Sequence, residues 1–95
     1  RILKSNWLPM DSLQIEFARS AIKDLRGIDR QWLPKIISAI ESLSENPRPS
    51  GCKKLVGSEH TYRIRISDYR VIYDIQDHKL VVYVVRIRHR RDVYR

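Results

Sequence analysis

Arginines that alternate with apolar residues constrain the fold of this chain more than any other feature. In residues 62–66, which read Tyr-Arg-Ile-Arg-Ile, Arg63 and Arg65 occupy every second position. Because successive side chains of a β-strand point to opposite faces of a sheet, this period predicts a strand with an apolar face in the core and a basic face outside. Residues 69–75 and 80–88, rich in Tyr, Val and Ile, are predicted to be two further strands.

The first half of the chain has a different period. Residues 12–17 alternate and predict a first strand, whereas from Ala18 the apolar residues recur at helical spacing until Gly27 ends a short helix. Asp29 can cap a second helix, whose regular part is predicted to begin at Leu33 or Pro34 because proline is tolerated only in a first turn.

The remaining segments complete the prediction. Residues 48–57 are predicted to be a loop, and residues 76–79 a hairpin turn. The expected fold is α+β, with two N-terminal helices packed on an antiparallel sheet in the order β-α-α-β-β-β. A chain of 95 residues supports one domain. Residues 1–10 lack any period and are predicted to be an N-terminal extension, disordered or non-native, so that residues 11–95 form the single domain.

The charge of the chain indicates a polyanionic partner. The net charge is +8, and 13 of the 19 basic side chains are arginines. Guanidinium groups pair with phosphate through two hydrogen bonds and stack on bases, which favours nucleic acid, although an acidic protein remains an alternative partner. With one cysteine, Cys52, and no long apolar segment, the sequence predicts a cytoplasmic protein without disulfides or a membrane span.

Other kinds of site find little support in the sequence. The three histidines, His60, His78 and His89, are scattered without carboxylate or cysteine residues at ligand spacing, so no metal site is expected. No glycine-rich phosphate loop precedes a helix, so no cofactor is expected either.

The arginines of three neighbouring strands are expected to share one surface. Arg70 follows Arg63 and Arg65 one strand later, and Arg86 and Arg88 share a face of the last strand. This surface is either a solvated sheet face that keeps the protein soluble or a phosphate-binding site.

Phosphodiester cleavage by a ribose 2′-hydroxyl is the sharper hypothesis for this surface. Such a reaction needs cations around the pentacoordinate phosphorane and a group that moves a proton. Arginine supplies the first but keeps its own proton, which leaves His89 and Tyr94 as proton-transfer candidates.

Four short motifs, in this order, resemble one known family. They are Lys-Leu-Val-Gly at 54–57, Tyr-Arg-Ile-Arg at 62–65, Asp-Tyr-Arg-Val-Ile-Tyr at 68–73 and His-Arg-Arg-Asp-Val-Tyr-Arg at 89–95. From about Met10 to its end the chain resembles the RelE toxins of the RelE/ParE superfamily. The resemblance implies a type II toxin of RelE-like fold, a ribosome-dependent endoribonuclease that cuts mRNA in the ribosomal A site by metal-independent 2′-hydroxyl attack. Its implied partners are the ribosome, mRNA and a cognate RelB-like antitoxin.

The resemblance also implies roles for individual residues. The catalytic set it implies is Arg63, Arg65, Arg70, His89, Arg90 and Tyr94. The RNA-binding set is Lys53, Lys54, Arg86, Arg88 and Arg91. Well-known RelE members carry lysine where this chain has Arg63 and Arg65, which puts a general-acid role at those two positions in doubt and gives it to His89. The alternatives are a ParE-like gyrase inhibitor of the same fold and a non-catalytic RNA-binding module.

Overall fold

The computed structural model describes residues 12–90. The predicted extension at residues 1–10 therefore lies outside the described residues. The elements follow the predicted order with one added strand. They are β1 (Gln14–Phe17), α1 (Arg19–Arg26), α2 (Leu33–Ser42), β2 (Lys53–Lys54), β3 (Thr61–Ile66), β4 (Tyr69–Gln76), a 3-10 helix (Asp77–Lys79) and β5 (Val81–His89).

The five strands form one sheet in the order β1-β5-β4-β3-β2. The α+β class and the antiparallel meander β3-β4-β5 are confirmed, but the expectation of a wholly antiparallel sheet is wrong. β1 pairs with β5 in parallel, so the sheet is mixed. A parallel pair requires a crossover connection, and here the helices and the meander supply it.

The loop predicted at residues 48–57 contains the short strand that sequence reasoning missed. Lys53 lies opposite Arg63, and Lys54 lies opposite Tyr62. Two consecutive lysines have no strand signature of their own. This pairing is decided by the neighbouring strand and not by local preference.

The structure confirms the predicted end of α1 and the predicted start of α2, but not the predicted cap between them. Gly27 follows α1 and donates its backbone N–H to the carbonyl of Asp24, which closes the last turn. Asp29 accepts the backbone N–H of Trp32 through its carbonyl, so it heads a turn before the helix and does not cap it. α2 then begins at Leu33 with Pro34 in its first turn, as predicted.

The helices and the sheet share one apolar core. β4 contributes Tyr69, Val71, Tyr73 and Ile75 from one face, and each of these side chains is at most 9% exposed. Ile36, Ile40 and Leu43 pack from α2 and its C-terminus, while Ala21 packs from α1. Burying an aliphatic or aromatic side chain of this size contributes about 1.5–3 kcal/mol, so this face of the sheet fixes the direction of every neighbouring residue.

A β-bulge changes the alternation of β5. Val84 lies opposite Tyr73, but Arg86 lies opposite Ile72, so β5 carries one extra residue at this point. Val84 before the bulge and Ile87 after it are both buried, although an uninterrupted strand would place them on opposite faces. The bulge therefore moves Arg88 to the face opposite the core.

Candidate nucleic-acid interface

Five basic residues come together on the face of the sheet that is not covered by the helices. Arg65, Arg70 and Arg88 lie directly opposite one another across β3, β4 and β5. Lys53 and Arg63 form a second pair on the same face. Directly opposed residues in a sheet have Cβ atoms about 4.5–5.5 Å apart, so these residues form one continuous group, here called the cationic cluster.

A cavity of about 250 Å³ opens in the cationic cluster. Its lining consists of Gly51, Lys53, Arg63, Arg65 and Arg70. Guanidinium groups that converge on one cavity match the oxygens of a phosphate group, because each fork donates two parallel hydrogen bonds.

Gly51 forms the rim of this cavity and was not singled out from the sequence. Its φ of +91° lies in the left-handed region that favours glycine. A Cβ at this position would meet nothing within 4 Å, so glycine serves the conformation of the loop and not the avoidance of a clash. The only signal in the sequence was a Ser-Gly pair, which is typical of a turn in general.

The charges of the cationic cluster are not neutralised within residues 12–90. The two ion pairs of this region join Arg48 to Asp77 and Arg86 to Asp24, at 2.9 Å each, and neither involves the cationic cluster. Like charges opposite one another across a sheet are destabilising. Five cations that form no ion pair with a carboxylate of residues 12–90 are suited to a polyanionic ligand, because such a ligand removes the repulsion when it binds.

Arg86 lies elsewhere. Its Nε donates to a carboxylate oxygen of Asp24 on α1 at 2.9 Å, and the backbone N–H of Ile87 donates to the same oxygen. The ion pair raises the pKa of Arg86 further above its ordinary value. The guanidinium of Arg86 thus joins α1 to β5, and RNA binding by this residue stays a prediction without support from its position.

His89 is not brought to the cationic cluster either. It lies opposite Tyr69, whose side chain belongs to the core face, and the two rings meet edge to face with their centroids 5.0 Å apart. Arg70 and Arg88, one position away on each strand, point to the other face. His89 lines a separate cavity of about 470 Å³ between α1 and the sheet, together with Arg86.

The other predicted site residues lie at the margins. Lys54 is exposed and lies opposite Tyr62, on the face away from the cationic cluster. Arg90 is exposed, and its backbone N–H donates to the carbonyl of Asp68. Arg91 and Tyr94 lie outside the residues that the structure describes. Of the predicted site residues, the structure therefore groups Lys53, Arg63, Arg65, Arg70 and Arg88.

Neither helix within residues 12–90 is long and apolar enough to cross a membrane.

Comparison with known proteins identifies the family. Residues 15–94 match the model of the ParE toxin of type II toxin-antitoxin systems, parDE. Toxin RelG of Mycobacterium tuberculosis is 31% identical over 85 residues, which span 85% of this chain and 94% of RelG. The mRNA interferase toxin RelE of Escherichia coli is 30% identical over 84 residues, which span 84% of this chain and 87% of that toxin.

A solved structure agrees with the sequence relatives. The toxin-antitoxin complex RelBE2 of Mycobacterium tuberculosis contains a chain that superposes with a TM-score of 0.73 at 27% identity, over 83% of this chain and 99% of that one. The match to the family model, the relatives at about 30% identity and the shared fold agree with the resemblance of the sequence motifs. This chain belongs to the RelE/ParE superfamily of type II toxin-antitoxin toxins.

Proposed function

We propose that this toxin is a ribosome-dependent endoribonuclease, an mRNA interferase that cuts mRNA in the ribosomal A site and thereby inhibits translation. The observation that carries the proposal is the cationic cluster, which surrounds a cavity suited to one phosphate group. A relative at 30% identity is named as an mRNA interferase toxin, which supports the same activity.

The proposed reaction is attack by a ribose 2′-hydroxyl on its own 3′-phosphate. The 2′-oxygen bonds to phosphorus, the bond from phosphorus to the 5′-oxygen breaks, and the products are a 2′,3′-cyclic phosphate and a 5′-hydroxyl. Negative charge increases on the phosphorane oxygens in the transition state. Arg63, Arg65 and Arg70 line the cavity and stabilise that charge. Arg88, opposite Arg70 on β5, adds to the positive electrostatic potential at the cavity.

Proton transfer requires a different residue, because guanidinium groups stay protonated at neutral pH. We assign the removal of the 2′-proton to Tyr94 in its phenolate form, which cations around the site favour, and the leaving 5′-oxygen takes up a proton from water. We further propose that Arg90 contacts the reacting phosphate and that Arg91 binds the RNA backbone. His89 receives no proton-transfer role in this proposal, since its ring contacts Tyr69 on the other face of the sheet. Tyr94→Phe is expected to slow cleavage with little loss of ribosome binding.

The proposed partners follow from the charge and from the relatives. The RelBE2 structure is a toxin-antitoxin complex, and a RelB-like antitoxin is the proposed inhibitor of this chain. An antitoxin that covers the cationic cluster with carboxylates would neutralise it in the absence of RNA. Because the proposed substrate is mRNA on the ribosome, the toxin acts in the cytoplasm.

A second candidate function is inhibition of DNA gyrase. It is favoured by one finding, the match of residues 15–94 to the ParE toxin model. The cationic cluster favours the ribonuclease, because a toxin that inhibits gyrase by binding to it needs no cavity for a reacting phosphate. A non-catalytic RNA-binding module would keep the cluster and lack cleavage.

Primer extension on a model mRNA in a purified translation system tests the proposal. We expect cuts confined to the A-site codon, only when ribosomes are present, in buffer with and without EDTA. Arg30→Gln is a matched control, because Arg30 is exposed in the connection between the two helices, which pack on the face of the sheet opposite the cationic cluster. An intact message with active ribosomes and antitoxin-free toxin would refute the ribonuclease, and loss of supercoiling by gyrase would then support the second candidate.

A further inference from the structure

A second cavity lies beside the phosphate cavity and has a different chemical character. It measures about 350 Å³ and is bounded by α2, by the loop before β2 and by the end of β3. Ala39, Pro49, Ile64 and Ile66 give it apolar walls, and Ser50 lies at its margin. We call it the side cavity.

The two cavities share Gly51 and Arg65. Gly51 leaves the boundary between them open, because it has no side chain and a Cβ there would meet nothing within 4 Å. Arg65 is exposed, and its Nε donates to the carbonyl of Ser67 at 3.3 Å, which orients the guanidinium at the boundary. A planar guanidinium in that position can pair with a phosphate or stack on a flat ring.

The free edge of β3 adds polar groups to this apolar surface. Within the described part of the chain, β2 pairs only with Tyr62 and Arg63, so the edge of β3 at residues 64–66 has no strand partner on that side. Unpaired backbone N–H and C=O groups at such an edge are available to a ligand. The hydroxyl of Ser42 donates to the carbonyl of Ala39 at 2.7 Å, which leaves its oxygen free to accept a hydrogen bond.

We infer that the side cavity binds the base of the nucleotide next to the phosphate held by the cationic cluster. An apolar slot with a few convergent polar groups, of a volume within the roughly 300–1,000 Å³ of small-molecule sites, fits a nucleobase. The shared residues Gly51 and Arg65 place this slot one step from the phosphate, as the chemistry of a nucleotide requires. Base contacts of this kind give a nuclease a sequence preference that phosphate contacts cannot give.

This inference rests on the proposed RNA substrate, and its test does not depend on cleavage. The probe is a tetraribonucleotide with 2′-O-methyl groups, which block the attacking hydroxyl, and matched probes lack one base each. Binding to the free toxin is followed through the methyl NMR signals of Ala39, Ile64 and Ile66. One abasic position should weaken binding about 10-fold and remove the shifts of these methyl groups, the scale of one stacked base.

Variants separate the base site from the phosphate site. Ser50→Trp places a large ring at the margin of the side cavity and should abolish the preference for the complete probe. Ser38→Trp is the matched control, because Ser38 is exposed on α2 and does not line the side cavity. Arg70→Gln should weaken the complete and the abasic probes alike. Thermal unfolding of each variant verifies its fold.

Equal affinity for all probes, with no shifts at the three methyl groups, would overturn the base site. A base preference in this experiment together with an intact message in the ribosome assay would support the side cavity and refute the ribonuclease. The two proposals can thus fail separately.

Discussion

Arg70 lies in the middle of the cationic cluster, with Arg65 and Arg88 directly opposite it on the two neighbouring strands. Replacement by glutamine keeps most of the side-chain length and removes the charge. Because the same charge repels its neighbours and stabilises the transition state, Arg70→Gln should change stability and activity in opposite directions.

The magnitudes follow from the geometry. Guanidinium groups roughly 7 Å apart in water repel by about 0.6 kcal/mol per pair, and screening at physiological salt reduces this by about half. Two neighbours then give about 0.5–1 kcal/mol, so the midpoint of thermal unfolding should rise by about 2–8 °C. Loss of one donor to the phosphorane costs about 2.7–4 kcal/mol, or about 10²- to 10³-fold in the cleavage rate.

The assays are thermal unfolding at several salt concentrations and single-turnover cleavage on programmed ribosomes. The gain in stability should fade in 1 M salt, because the screening length falls to about 3 Å. Arg70→Lys is the informative control, since it keeps the charge and loses the fork, so it should restore the repulsion and only part of the activity. A variant Arg70→Gln that is less stable by the same amount at low and high salt would refute the repulsion argument, and unchanged cleavage would refute the role at the phosphate.

Three further predictions concern the framework around the site. Arg86→Ala should lower the free energy of unfolding in urea by about 1 kcal/mol, because it removes the ionic partner of Asp24 at a partly exposed pair and leaves only the backbone N–H of Ile87 on that carboxylate. Asp24→Asn should lower it by a similar amount. Tyr73→Phe should lower the free energy of unfolding by about 1 kcal/mol, because it removes the hydrogen bond of the Tyr73 hydroxyl. Burial raises the pKa of Tyr73, so its contribution to the free energy of unfolding is full below the unfolded pKa near 10 and is lost as the pH rises above that value. The Tyr73→Phe variant should therefore lose less stability at high pH than the unmutated protein. The Arg48 guanidinium lowers the pKa of Asp77, so this pair stabilises the fold above the unfolded pKa near 4, and the contribution is lost as the pH falls. Asp77→Asn should therefore lose less stability than the unmutated protein when the free energy of unfolding is followed to acid pH. Identical acid dependence of the two proteins would contradict this prediction.

Much of the fold could be predicted from local patterns in the sequence. The alternation in β3 predicted that Arg63 and Arg65 lie on one face of the sheet and that Ile64 and Ile66 lie on the core face, and the register confirms it. Gly27 marked the end of α1 because a change of period and a flexible residue coincide there. These signals depend on residues within a few positions of one another, so a single sequence carries them.

Only some of the residues that form the candidate site could be predicted from the sequence. The resemblance predicted Lys53 as a site residue. It joins the cationic cluster because β2 pairs with β3, and this contact between residues 10 apart cannot be predicted from two consecutive lysines. Gly51 could not be distinguished from any other turn glycine. His89 and Arg88 are adjacent in the sequence but lie on opposite faces, which separates two residues that a linear motif groups together.

The amino-acid sequence by itself determined the class of fold, the two helices, the meander and the basic face of β3, because local periodicity and turn residues decide these features. Only the tertiary structure decided the parallel pairing of β1 with β5, the bulge in β5 and the ion pair between Arg86 and Asp24. The bulge is the decisive case, because one extra residue reverses the faces of everything after it and so brings Arg88 beside Arg70. Its position depends on how β5 packs against β4 and α1, and contacts between distant segments are absent from any local pattern.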